Sequence, residues 1–315
     1  MFYLCLTKQK ALKNKLKCIP VVRNIIAILE SLKLPGYNYF SFYDLFQMYV
    51  SGILKGTLSS RAGSISFSFF MALFPFLLFL LNLIAFIPID NFDNVLLDFL
   101  ERLLPSDSQS FFTDIFNDIR VKQRAGLLSS VFLLSIFLTA NGVSSIFSGF
   151  EGSYHVELSR SLFRQYLFSM MVSILLAFLL LFGVVAFVFF EIYILNNLES
   201  LIPSEINWIR WAQILFYIIL TYLSVTILYF FGTIEGKKTK FFSPGALMTC
   251  LLIILTTYLF GVYIENFSTY NQLYGSIGAL LIFLIYIWLN SNMLLLGFEL
   301  NATLNRLKNQ DQLKS

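Results

Sequence analysis

The sequence predicts an all-α polytopic integral membrane protein, with six transmembrane helices plus interfacial and extracytoplasmic amphipathic helices. Three observations carry that prediction. Hydrophobic residues make up 57% of the 315 and charged residues only 13%, against about 25% charged in a soluble globular chain. Its 36 Phe, 16 Tyr and 3 Trp supply more apolar area than a soluble core of this size hides from water. Six stretches contain no Asp, Glu, Lys or Arg at all: 65–88, 126–147, 169–190, 211–232, 244–264 and 277–298. A bilayer core of about 30 Å needs roughly 20 such residues in a helix, because no backbone amide there can go unpaired.

Taken in order, residues 1–60 read as a basic cytoplasmic arm ending in an interfacial helix. Lys8, Lys10, Lys13, Lys15 and Lys17 lie beside Leu12, Leu16 and Ile19, a composition suited to anionic headgroups. No signal-peptide cleavage site follows, so the arm is expected to stay on. From Phe42, apolar residues recur at Leu45, Phe46, Tyr49, Val50, Ile53 and Leu54, the spacing of one helix face. Asp44, Gln47, Ser51 and Lys55 fall on the other face, so this helix is expected to lie flat before the first span.

Residues 61–305 form the six-helix membrane domain, interrupted by an outer helical hairpin over 90–124. Its first arm carries Phe92, Leu96, Phe99, Leu100 and Leu103 at helical spacing and stops at Pro105. Ser106 and Gln109 make a capping box for the second, with Phe111, Phe112, Ile115, Phe116 and Ile119 inward. The acids of the hairpin, from Asp90 to Asp118, are spaced along wet faces instead of converging as a two-metal site requires. Residues 306–315 are a cytoplasmic tail. Seventeen of the 22 Lys and Arg fall in the N-terminal arm, the second and fourth loops and the tail. That bias puts both termini in the cytoplasm.

Little points to chemistry. Cys5, Cys18 and Cys250 have no metal-binding spacing, and His155, the single histidine, reads as a surface residue in a short polar loop. No catalytic residue, metal or cofactor is expected. Polar residues within the spans are the candidates, because hydrocarbon penalises them. They are Asn82, seven residues past the helix-kinking Pro75; Asn141, Ser144 and Ser145 beside Gly142; Asn290, Ser291 and Asn292; and Glu299 with Asn301 at the inner end of the last span. Two readings stay open: these groups cement helix packing, or they line a solvated path or headgroup pocket.

A resemblance covers the chain from about residue 60 to 305. Its carriers are Ala62-Gly63-Ser64-Ile65 through Leu73-Phe74-Pro75, then Tyr154-His155-Val156 with Arg160 and Phe163. The C-terminal third adds Pro244-Gly245-Ala246, Gly261-x-Tyr263, Tyr274-Gly275-Ser276-Ile277-Gly278, Trp288 and Gly297-Phe298-Glu299-Leu300-Asn301-Ala302. In these the sequence resembles the YihY/BrkB family of bacterial inner-membrane proteins. Phe67 and Ala72 stand where that family often has Tyr and Ser. The resemblance implies six spans with both termini inside, and adds Tyr274 and Gly275 to the candidates. The family was once labelled a transfer-RNA-processing ribonuclease, and other members are associated with serum resistance and with lipid or lipopolysaccharide movement. A ribonuclease is disfavoured here by the lack of a metal-ligand cluster and of a soluble catalytic domain. The expected function is transporter-like, moving or accommodating a lipid or other amphiphile, with membrane lipids as partners and no nucleic acid. The alternative is a non-transporting envelope scaffold that binds partners. Protein partners and oligomeric state have no signal in the sequence.

Overall fold

The structure is a computed structural model that describes residue 33 and residues 41–55, 57–84, 92–101, 109, 112–114, 116–118, 130–156, 160–190, 208–234, 241–267 and 276–314. The Lys8 to Lys17 arm, the Ser106 cap, Tyr274 and Gly275 lie outside the described residues, as does the side chain of Asn82.

Among the described residues eight helices form: α1 Phe42–Lys55, α2 Leu58–Ile84, α3 Phe92–Glu101, α4 Ser130–Glu151, α5 Leu162–Phe190, α6 Trp208–Gly232, α7 Pro244–Phe267 and α8 Ser276–Lys314. Six of them, α2 and α4 to α8, are long and apolar enough to cross a membrane. The protein is therefore multi-pass. Apolar length dictates these helices, and their ends are set by local chemistry. Ser41 and Asp44 cap α1 reciprocally, with Asp44 accepting from the Ser41 amide at 2.9 Å and the Asp44 amide donating to Ser41 Oγ. Ser243 caps α7, accepting from the amide of Ala246 at 3.3 Å, and Pro244 takes the first helical position that suits it.

Spans α2, α5 and α6 begin before their charge-free stretches, at Leu58, Leu162 and Trp208. Each added turn carries an Arg (Arg61, Arg164, Arg210) in an otherwise helical segment. The longest difference is at α8, which runs 39 residues without a break to Lys314, through the segment that sequence sets apart as a tail. Pro75 lies inside the continuous α2.

The spans pack in a closed ring: α2 on α4, α4 on α5, α5 on α6, α6 on α7, α7 on α8, and α8 back on α2. One end of the ring is filled by aromatics. Phe147, Phe150, Tyr229 and Phe298 are all buried there, and the rings of Phe150 and Phe298 stack with centroids 4.3 Å apart. At the other end Leu96 of α3, with Phe112 and Phe116, packs against Leu77 and Leu80 of α2 and Leu181 and Val184 of α5. Of the stripe expected of the outer hairpin, Leu96, Phe112 and Phe116 are buried among the described residues. Helix α1 lies against α8 at the aromatic end, burying Tyr43 and Gly52 and exposing Phe42, Phe46 and Leu54.

Candidate functional site

Two regions of the ring hold the polar groups, and they differ in kind. The first lies at the aromatic end. Glu299, on α8, is fully buried, and its Oε1 accepts from Arg61 Nη2 of α2 at 2.7 Å. Arg61 also donates through Nη1 to the Gly149 carbonyl at 2.8 Å, one of the last carbonyls of α4, which no helical amide satisfies. The other Glu299 oxygen accepts from Ser153 Oγ at 2.8 Å. One carboxylate thereby ties α8 to α2 and to the turn after α4.

His155 extends this network to α1. Its Nε2 lies 3.0 Å from the Met48 carbonyl and its Nδ1 lies 3.2 Å from Arg306 Nη1. A carbonyl only accepts and a guanidinium only donates, so the ring is neutral, with its proton on Nε2. His155 is 4% exposed. This corrects the surface placement expected from sequence: the short loop folds under α1, whose carbonyl and Gly52 cover the ring. Burial, opposed by the Met48 contact and by Glu299, holds its pKa below the ordinary value, with Arg306 and Lys55 adding to the depression. Gly52 is the residue that permits this seat. A Cβ there would stand 2.8 Å from His155 Nε2 and 3.0 Å from Glu299 Oε2. Tyr49, one turn away, has its pKa pushed up to about 12, first by burial and then by the Glu299 charge.

Asn301, one turn beyond Gly297, closes the same end. Its Oδ1 accepts from the Gly245 amide at 2.8 Å and its Nδ2 donates to Ser243 Oγ at 2.8 Å, so it caps α7 from α8. At that crossing a Cβ on Gly297 would fall 1.8 Å from Thr249 Oγ1 and 2.6 Å from the Gly245 carbonyl. The two backbones touch, as small residues permit.

The second region is the centre of the ring. Two adjoining lobes of about 260 Å³ and 330 Å³ share Phe69, Ile146, Leu180, Leu220, Ser224 and Leu228. Every one of the six spans contributes to the lining: Ile65 from α2, Thr139 from α4, Ser173 from α5, Tyr217 from α6, Ile253 from α7 and Asn290 from α8. No Asp, Glu, Lys, Arg or His lines either lobe. Here two polar atoms lack partners, while Ser173 and Ser291 of the same lining donate to carbonyls of their own helices. Asn290 donates from Nδ2 to the Tyr286 carbonyl one turn back, but its Oδ1 has no donor, and neither has the hydroxyl of Thr139 a partner.

The candidates named from sequence distribute between these regions and outside both. Asn290 lines the cavity; Glu299 and Asn301 belong to the polar network and do not line it. Ser145 donates to the Ser64 carbonyl at 3.3 Å and ties α4 to α2. The Ser144 carbonyl accepts from Gln165 Nε2 at 3.1 Å and ties α4 to α5. Asn292 bonds within its own helix to the Trp288 carbonyl, and Asn141 faces out of the bundle. Pro75 is half-buried beside Phe76 of the lining without joining it. Sequence reasoning missed Thr139, two residues before Asn141 and on the opposite side of its helix, because it ranked residues by polarity and not by face. It also missed Arg61, whose signal was present: a cation inside an apolar helix needs a partner. Among the described residues no group of three His, Cys, Asp or Glu converges on a point that could hold a metal.

Similarity to known proteins agrees with this architecture. Residues 49–315 match the family model described as Virulence factor BrkB. The chain is 28% identical over 252 residues to "ribonuclease-like protein YfkH" of Bacillus subtilis (strain 168), covering 79% of this chain and 90% of that one. It is 24% identical over 283 residues to a UPF0761 membrane protein of Psychrobacter sp. (strain PRwf-1), covering 86% of this chain and 50% of that one. A 69-residue segment is 38% identical to a UPF0761 membrane protein of Xanthomonas oryzae pv. oryzae, 16% of that protein's length. No solved structure matches the chain. Apart from Met48, the polar network and the central cavity fall within the matched residues, and the chain belongs to the BrkB virulence factor family.

Proposed function

We propose that the protein is transporter-like and accommodates a lipid or other amphiphile in the centre of its six-helix ring. One observation carries this reading: two adjoining apolar lobes lie between the helices beside the buried core, and all six spans contribute to them. Protein interiors are ordinarily filled to crystal-like density. A space of this size walled by Phe, Leu, Ile and Val suits a hydrocarbon chain, whose transfer from bilayer to cavity changes its solvent little. In the bacterial inner membrane, with both termini cytoplasmic, α1 would lie along the inner leaflet, its exposed Phe42, Phe46 and Leu54 in the acyl boundary. The polar network would then close the inner end of the ring.

The test uses purified protein in vesicles doped with lipids that share one photoreactive acyl chain and differ in headgroup. Labelled peptides are mapped, and the variant Ser224→Trp, which fills the space both lobes share, is compared at equal thermal stability. The reading expects chain adducts on the lining segments of α2, α6 and α8 that disappear in the filled variant. Adducts confined to the outer, lipid-facing residues, or unchanged by Ser224→Trp, would defeat it. A quench-protected pool of chain-fluorescent lipid, measured in the same vesicles, separates moving a lipid from holding one.

A further inference from the structure

The lining of the cavity also says what part of an amphiphile it can hold. We infer that the ligand of the central cavity is a neutral lipid whose polar part is a hydroxyl group, not a lipid carrying a phosphate or an ammonium. The inference rests on the proposed lipid-accommodating function and narrows it to one chemical class. Neither lobe is lined by an ionisable side chain other than the phenols Tyr217 and Tyr286. Arg61 of α2, one turn before Ile65 of the lining, is already engaged by Glu299 and the Gly149 carbonyl. Asn290 lies nine residues before Glu299, about 13 Å along the helix. A phosphate brought to that depth would therefore stand in hydrocarbon with no counter-charge, a steep penalty.

The partnerless oxygens give the class its sign. Other hydroxyls within the spans, Ser169 and the cavity-lining Ser291 among them, donate to the carbonyl one turn back, to Gln165 and Ile287. Thr139, 5% exposed, does not, and the buried Thr226 hydroxyl outside the lining also lacks a partner. The Tyr286 carbonyl can only accept, so it fixes the Asn290 amide with its nitrogen on the helix and its oxygen left over. An amide oxygen needs a donor, and a hydroxyl is the donor a neutral lipid offers. Both oxygens are covered in the structure, so the ligand reaches them once the Thr139 or Asn290 side chain turns. The lobes lie on either side of Phe69 and Leu220, which line both, and Thr139 and Asn290 stand one to each lobe. Chains would fill the lobes, with the hydroxyl between them.

The experiment photolabels the full chain in phosphatidylcholine nanodiscs with three lipids bearing identical photoreactive chains: a diacylglycerol, its O-acetyl ester and the corresponding phosphatidic acid. Adducts on the lining segments are counted. Diacylglycerol is expected to exceed phosphatidic acid by about tenfold or more, and its acetyl ester by about fivefold, the effect of leaving a buried acceptor unpaired. Thr139→Val with Asn290→Leu should erase the second ratio and keep the first. If the double variant does not fold, each single change is expected to reduce the ratio alone, and Asn290→Gln to restore it. Equal labelling by phosphatidic acid would overturn the neutral class while leaving the lipid reading standing. Equal labelling by the acetyl ester in the wild type would overturn the hydroxyl. No lining adduct from any lipid above the Ser224→Trp background would instead defeat the lipid reading itself.

Discussion

The two polar regions of this bundle sit about 13 Å apart along α8 and are built on opposite terms. At the Glu299 end the acceptors meet donors: the carboxylate takes Arg61 and Ser153, the Met48 carbonyl takes His155, and Asn301 takes Gly245. In the central cavity Thr139 Oγ1 and Asn290 Oδ1 take nothing. In the Glu299 network both carboxylate oxygens are engaged, although Arg61 Nε is left without a partner, and alternatives to it break bonds in a low-dielectric setting. An unsaturated pocket is stable only because the rest of the fold holds it, and it has free energy to gain from a ligand. The contrast separates a lock from the proposed site, although residue type alone would have ranked Glu299 as the functional group.

The largest effect should come from breaking the lock on one side. Glu299→Leu leaves the Arg61 cation buried without its partner and is expected to cost about 3–5 kcal/mol, read as a fall in the thermal unfolding midpoint in detergent. Adding Arg61→Met should recover most of that loss. Were the single and double variants equally unstable, the pair would not be the reason for the cost.

Gly52→Ala comes next. Its methyl would press on His155 and Glu299, at a cost of about 1–3 kcal/mol. Limited proteolysis between α1 and α2 should quicken in the variant, because α1 is the element displaced. Unchanged proteolysis at unchanged stability would mean that α1 does not depend on this seat.

A smaller effect follows from pH. His155 is neutral in the folded protein and its pKa lies below the ordinary value, so the unfolded chain binds the extra proton first. Stability from this residue is complete above about pH 6.5 and falls as pH is lowered through that value, by at most about 1.4 kcal/mol per unit, until the folded pKa is passed. His155→Gln, which keeps a donor for the Met48 carbonyl, should flatten the profile between pH 7.5 and 5.5. A profile of the same slope in the variant would assign the dependence to another group.

The smallest change sharpens the contrast most. Thr139→Val deletes a hydroxyl that has no partner and should leave stability unchanged or raise it by up to about 1 kcal/mol. Ser153→Ala, which deletes a bonded hydroxyl, should lower it by a similar amount. Equal losses in both would mean that the hydroxyl in the cavity wall is bonded as firmly as the one in the lock.

How much of this was legible in the sequence depended on whether one helix or several decide a feature. The six spans and the α1 stripe were readable because apolar length and periodicity belong to a single segment. Asn301 and Glu299 were readable as unusual, since hydrocarbon makes any polar residue so. Their roles were not, because Glu299 meets an arginine 238 residues away and only the ring closure brings α2 and α8 together. His155 looked exposed because its loop is short and polar, while its burial is imposed from outside by Met48 and Gly52 of α1. Asn141 and Thr139 show the same limit within one helix. Two residues is about half a turn, and only the packing of α4 against α2 and α5 says which of them looks inward.

The division of labour between the two regions is tested most directly by photolabelling with chain-reactive lipids in two variants at once. Ser224→Trp should lose the lining adducts while keeping the wild-type unfolding midpoint. The double change Arg61→Met with Glu299→Leu should keep the adducts, whatever it does to stability. Loss of adducts in the double variant, with adducts retained in Ser224→Trp, would place the lipid site at the polar end and contradict the assignment of lock and cavity.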